Sequence, residues 1–168
     1  MGRELRMVPA NWEHPKRDNG RYQPLLGGSF SDRLQEWEEG KALWLKGKRN
    51  KYGAGIIEIE NEYRGDSWEE WEGARPEKED YMPDWDESER THFQMYENTS
   101  EGSPISPPMK SSEELAQWLV DNNASAFAGM TASYDQWLAT IKSGYAPSMV
   151  VVNGVMDSGV AALGDQNS

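Results

Sequence analysis

The sequence contains no cysteine, which excludes disulfides and thiolate metal sites. Histidine is nearly absent too. With only His14 and His92, a structural zinc site would need both rings plus carboxylates, and their spacing suggests none. No apolar run approaches the length needed to cross a bilayer, and Met1–Arg6 lacks the apolar core of a signal peptide, so neither membrane contact nor a leader is expected. The same start does not complete a myristoylation pattern, which needs Ser or Thr where Arg6 stands. Phosphate-loop, dinucleotide-binding and nucleophile-elbow patterns are missing, and Gly53-Ala54-Gly55 is too short to stand in for one. The Asp-x-Asp-x-Asp-Gly calcium loop is also missing, so pairs such as Asp84 and Asp86 read as a solvated acidic face. No catalytic residue, metal site or cofactor is expected, and the reading leans away from an enzyme.

Apolar residues are scarce as well, at 36% of 168 residues, with a mean hydropathy of -0.88. That length still suffices for one domain with a real core. Eight tryptophans compensate in part, because each aromatic ring buries a large area.

Charge is abundant and uneven. Residues 1–52 hold eleven Lys/Arg against seven Asp/Glu, residues 53–101 hold four against sixteen, and residues 102–168 hold two against six. The net charge of -12 therefore equals that of the middle third alone, since the ends offset one another. Such a total disfavours direct binding to nucleic acid. Acidic blocks are ordinarily poor in aromatics and disordered. This one carries Tyr63, Trp68, Trp71, Tyr81 and Trp85, rings that need a core or a partner to pack on.

Periodicity supplies the elements. Prolines and Asn19-Gly20 make residues 1–28 an irregular arm, anchored by Trp12 and Tyr22. Leu34, Trp37, Trp44 and Leu45 predict a helix over 32–46, with Ser29 or Ser31 as N-cap and Gly47 at its end. The basic run Lys46–Lys51 reads as a solvated helix end. Ile56–Glu60 reads as a short strand, and 58–89 as an acidic aromatic segment with one helical turn near Ser67. A strand is expected at 91–97, with Phe93 and Met95 on one face. Capping boxes at Ser111 and Ser133 open two helices, and Ser148–Val152 is a strand. His14 reads as a hydrogen-bonded loop residue, and His92 as a strand residue that is either exposed or a local partner, with an acid/base role beside Glu97 or Tyr96 only weakly signalled. The expectation is one α+β domain over 1–156, a small sheet packed by two or three helices with long irregular acidic and N-terminal segments, and a flexible tail over 157–168.

Several strings occur together: Val8-Pro9 with Trp12-x-His14-Pro15, Tyr22-Gln23-Pro24-Leu25, Tyr81-Met82-Pro83-x-Trp85, and Gln94-Met95-Tyr96-Glu97 leading to Pro104-Ile105-Ser106-Pro107. In this combination the chain resembles small uncharacterised accessory proteins of tailed bacteriophages. The resemblance carries no known activity. It implies the host cytoplasm as the setting, and an anti-defence inhibitor that occupies a basic, nucleic-acid-binding surface of a host nuclease or CRISPR effector. The residues suited to that contact are the carboxylates of Glu69, Glu70, Glu72, Glu77, Glu79, Asp80, Asp84, Asp86, Glu87 and Glu89, with Trp68, Trp71 and Trp85 as anchors. Two other readings remain open. One is a small-molecule or nucleotide-binding protein or enzyme, with an anion at the Gly102–Pro108 loop before the Ser111 cap. The other is a minor virion component. The basic N-terminal third also poses a question, since it is able to fold back on the acids and neutralise them.

Overall fold

The computed structural model describes residues 2–98, 102–147, 149–152 and 155–166. They form strand β1 (Gly2–Val8), helix α1 (Phe30–Leu45), strands β2 (Lys48–Lys51) and β3 (Gly55–Glu58), and the short helix α2 (Trp68–Glu72). Strands β4 (His92–Asn98) and β5 (Ser103–Pro104) follow, then helices α3 (Ser112–Asp121) and α4 (Tyr134–Ser143). Strands β6 (Tyr145–Ala146), β7 (Met149–Val152) and β8 (Val155–Ser158) lead into helix α5 (Gly159–Gln166). The fold is α+β. Its main sheet is antiparallel in the order β5-β4-β1-β6, and β2-β3 and β7-β8 are separate two-stranded sheets. Where the sequence reads as one domain, the chain groups into two compact units. The two ends, through Gly27 and from Trp85, make one, and Gly28–Asp84 makes the other.

In the first unit the expected irregular arm begins instead with a central strand. β1 pairs with β4 from Gly2 opposite Asn98 to Val8 opposite His92, and its other edge takes β6. Arg3, Glu4 and Arg6 mask this strand in the sequence, because charged residues inside a seven-residue run hide its alternation. Arg3 is nevertheless buried. Its Nε donates to the Ser125 carbonyl at 2.8 Å, and Glu97 lies opposite on β4. Burial pulls its pKa down and the Glu97 charge opposes that.

β4 is covered on both faces, which its alternating sequence does not announce. Met95 joins Leu115, Ala116, Leu119, Trp137 and Ile141 in the core, while Gln94 and Tyr96 on the opposite face are also buried. Helices α3 and α4 start on the expected caps, Ser111 and Ser133. Gly144 ends α4 in a left-handed conformation at φ 82.

The C-terminal segment differs from the flexible tail that was expected. It is the end of β8 followed by α5, with Val160 and Ala161 buried. Small residues make that packing possible: a Cβ on Gly164 would lie 2.4 Å from Gln136 Cγ on α4. The strand expected at 148–152 is β7. It pairs with β8 rather than with the main sheet, and Ser148, Asn153 and Gly154 lie outside the described residues.

In the second unit Ser29 caps α1, its hydroxyl accepting from the Asp32 amide at 3.2 Å. Trp37, Trp44, Ile59 and Trp68 form the core, with Tyr63 against it. Trp68 meets Trp37 at 6.3 Å and Trp44 at 5.8 Å between ring centroids. The basic run read as a helix end is partly β2, which pairs with β3 from Lys48 opposite Glu58 to Lys51 opposite Gly55.

Gly40 sits inside α1, where glycine ordinarily costs about 1 kcal/mol against alanine. Its reason is Trp68, whose Cη2 lies 2.4 Å from where a Cβ would stand. Gly40→Ala is therefore expected to destabilise this unit by about 1–3 kcal/mol, overpacking outweighing the propensity gain. Urea denaturation checks it, and a more stable variant would contradict the packing account.

Candidate functional site

The acidic segment is held from beneath. α2 opens with a capping box in which Ser67 Oγ accepts from the Glu70 amide at 3.2 Å and the Glu70 carboxylate accepts from the Ser67 amide at 2.7 Å. Trp68 then points into the core at 8% exposure. Trp37 Nε1 donates to the Gly73 carbonyl at 3.1 Å and Trp44 Nε1 to the Asp66 carbonyl at 2.9 Å. Both flanks of α2 are thus tied to α1 by indoles. Trp71 is exposed at 36% and stacks on Trp44 at 5.2 Å, with the Arg49 guanidinium 5.2 Å from its ring centroid.

All ten carboxylates singled out in the sequence are exposed: Glu69, Glu70, Glu72, Glu77, Glu79, Asp80, Asp84, Asp86, Glu87 and Glu89. Some of them do meet the basic third. Arg33 pairs with Glu72 at 2.6 Å and Lys41 with Glu69 at 2.5 Å. Arg49 Nε reaches Glu60 at 2.8 Å, and this bond holds the Glu60 carboxyl at about 2. Lys41 likewise lowers Glu69, and the Ser67 amide lowers Glu70. Asp84 accepts from Ser31 Oγ at 3.0 Å. Asp86 and Glu89 cap one another's backbone around the turn Glu87–Glu89. Neutralisation is partial: Gly28–Asp84 holds nine Lys/Arg against fifteen Asp/Glu.

The three indole anchors separate in the structure. Trp68 is interior and Trp71 is exposed on the same short helix. Trp85 belongs to the other unit with Asp86, Glu87 and Glu89, and it is half-buried edge-on against Trp12 at 4.8 Å. α2 therefore gathers Trp68, Glu69, Glu70, Trp71 and Glu72 into one feature. Trp68 Nε1 is buried without a partner among the described residues.

A second candidate lies in the unit made by the chain ends, a cleft of about 730 Å³ whose walls include Trp12, Tyr22, Ile105, Pro108 and Trp118. Beneath it Tyr96 is a hub. Its hydroxyl accepts from Trp12 Nε1 at 3.1 Å and donates to Gln94 Oε1 at 3.0 Å. The Gln94 amide is oriented by its Nε2, which donates to the Ser106 carbonyl at 2.9 Å. His14 lies between this hub and the arm, with Nε2 facing the Gln23 carbonyl and Nδ1 3.0 Å from Tyr96 Oη. A carbonyl only accepts, so Nε2 carries the proton and Nδ1 of the neutral ring competes with Gln94 for the Tyr96 hydroxyl hydrogen. Burial pushes the Tyr96 phenol up to about 12. The sequence placed Trp12 as an anchor and His14 as a hydrogen-bonded residue. It missed Tyr96 and Gln94, whose only signal was a strand with polar residues on its supposed outer face.

The expected pH dependence follows from His14. Burial, first, and then the Arg6 charge lower its pKa below 6.5, while the bond to Gln23 opposes them. A base lowered on folding binds fewer protons folded than unfolded. The stability it permits is complete above pH 6.5 and is lost as pH falls toward the lowered folded value. His14→Gln should flatten that part of the stability–pH curve in urea titrations. An unchanged acid limb would assign it to other groups.

Among the described residues no group of three or more His, Asp or Glu side chains is placed to hold a metal ion, and no helix is long and apolar enough to cross a membrane. No protein-family model matches the chain, and no curated protein or solved structure shows significant similarity to it.

Proposed function

We propose that this is a binding protein whose exposed carboxylates take the place of a nucleic-acid backbone on a basic surface of a partner protein. In the phage setting that the sequence resemblance implies, the partner is a host nuclease or CRISPR effector and the site of action is the host cytoplasm. One observation carries the reading: the carboxylates of α2 project from a helix whose flanks are bonded to α1 by Trp37 and Trp44. An acidic segment braced in this way loses less conformational entropy on binding than a disordered one. Its exposed ion pairs with Arg33 and Lys41 are worth only about 0–1 kcal/mol each, so a partner's Arg or Lys can replace them.

The variant E69Q/E72Q/E77Q/E79Q/D80N/E87Q removes acid while leaving the caps of Glu70, Asp86 and Glu89 intact. Capture of a partner from host lysate is expected to fail for this variant, and to weaken with salt for the wild type. Unchanged capture ends the electrostatic reading.

The cleft beside Trp12, Tyr22 and Trp118 favours a second reading, a small-molecule or nucleotide-binding protein. Its floor groups, His14, Gln94 and Ser106, are already engaged within the protein, so a ligand would be held chiefly on aromatic faces. A rise in melting temperature with a nucleotide, lost in Trp118→Ala, would select this reading.

A further inference from the structure

The β2–β3 hairpin has a chemistry opposite to that of the chain as a whole. From Gly40 to Ile57 there is no Asp or Glu, while Lys41, Lys46, Lys48, Arg49 and Lys51 fall within that stretch. Two of the five are committed, Lys41 to Glu69 and Arg49 to Glu60. Lys46, Lys48 and Lys51 are exposed, and no carboxylate among the described residues lies within ion-pair distance of them. Glu58 stands opposite Lys48 on the ladder but is 3.9 Å from Arg64, and Lys51 is near enough to Glu60 to help lower its pKa.

At the tip stands Tyr52, with a relative exposure of 104%. The turn that displays it is fixed. Gly53 and Gly55 have φ values of 77 and 74, and the Ala54 amide donates to the Lys51 carbonyl at 3.0 Å.

Two ordinary explanations cover the lysines alone. Lys46 complements the C-terminal dipole of α1, and lysines on an exposed strand deter pairing between molecules. Neither explains an aromatic ring held wholly in water at the tip of a hairpin that carries exposed lysines. A bilayer surface fits poorly, because interfacial binding needs a broad apolar face or a lipid chain. Here the exposed large apolar side chains are Leu45, Tyr52 and Ile56. A duplex fits poorly too, since its stacked bases offer a lone ring no face. A single strand offers both halves of the match, phosphates for the ammonium groups and an unpaired base for the ring.

We propose that the β2–β3 hairpin contacts single-stranded nucleic acid, Tyr52 stacking on a base while Lys46, Lys48 and Lys51 engage phosphates. The residues proposed here, Lys46, Lys48, Lys51 and Tyr52, are not among those proposed for the acidic contact, and neither proposal requires the other. The contact runs against the expectation, drawn from net charge, of no nucleic-acid binding. Net charge averages over the whole surface, whereas at physiological salt the field of these lysines is felt over about one Debye length, roughly 8 Å.

Fluorescence anisotropy with a labelled oligothymidylate, alone and annealed to oligoadenylate, tests it. The single strand is expected to bind more tightly than the duplex. A contact with three phosphates gives a slope of log K against log salt near about -2. K46Q/K48Q/K51Q should remove most of that slope, and Tyr52→Ala should weaken binding about tenfold, with Tyr52→Phe retaining it. All these positions are exposed, so circular dichroism should stay unchanged. Absence of single-strand binding at low salt, equal binding by Tyr52→Ala, equal binding of duplex, or preference for phosphatidylserine vesicles over the oligonucleotide would each overturn the proposal. The acid-neutralised variant should bind the strand at least as well as wild type.

Discussion

Replacing Trp137 by alanine is expected to lower the stability of the chain-end unit by about 3–5 kcal/mol, the usual cost of deleting a buried indole. Trp137 is 0% exposed and shares the core with Met95, Leu115, Leu119, Ile141 and Val160. The cavity would therefore open where the sheet and all three helices of this unit meet, leaving little room for collapse. Its Nε1 has no partner among the described residues, so the residue is expected to hold the core chiefly by volume. Trp137→Phe, which keeps a ring and removes an unpaired donor, should then cost under about 2 kcal/mol. Urea denaturation with the slope compared between variants separates the two. Equal losses would mean that the indole nitrogen matters and is hydrogen-bonded in solution.

The second large effect is expected from Trp68→Ala. This residue is one of four side chains in the buried cluster of Trp37, Trp44, Ile59 and Trp68 in Gly28–Asp84. A loss of about 3–5 kcal/mol is comparable to the total stability of so small a unit. Amides of α1 and α2 should lose protection from hydrogen exchange. On the proposed function, partner capture should fail as well, although every carboxylate is unchanged. Trp71→Ala provides the contrast. That ring is partly exposed and stacks on Trp44, so its removal should cost about 0.5–1.5 kcal/mol. Capture lost by Trp71→Ala with exchange protection intact would make Trp71 a contact residue. Capture retained would restrict the binding surface to the carboxylates.

The elements that were legible in the sequence are those whose local signals agree. α1, α3 and α4 combine an apolar stripe, a serine cap and a glycine or polar stop, so propensity, periodicity and capping all point the same way. What escaped was set by distant residues. Charged side chains in β1 are accommodated in part by distant groups, since the Ser125 carbonyl accepts from Arg3 and the Leu25 carbonyl from Arg6. β4 reads as half-exposed because nothing near it announces that Trp12 and His14 cover its polar face. α5 escaped because small residues, weak as a periodic signal, let it approach α4 closely. The acidic segment was legible as a place, but its anchors were not. A tryptophan pattern cannot distinguish a ring turned inward, such as Trp68, from one turned outward, such as Trp71. The hairpin at Lys48–Glu58 was half seen, since Ile56 and Ile57 marked one strand while lysines disguised the other.

The order of synthesis gives β1 a particular history. Leu5 lies opposite Met95, so the strand at the start of the sheet has no β4 partner until some ninety residues later have been made. At about 5–20 residues per second, it waits for several seconds while Gly28–Asp84, whose contacts are its own, is free to fold. A strand left without its partner for that long exposes unpaired backbone groups to other chains. Arg3, Glu4 and Arg6, which obscure β1 in the sequence, are the charges expected to oppose such association during the delay.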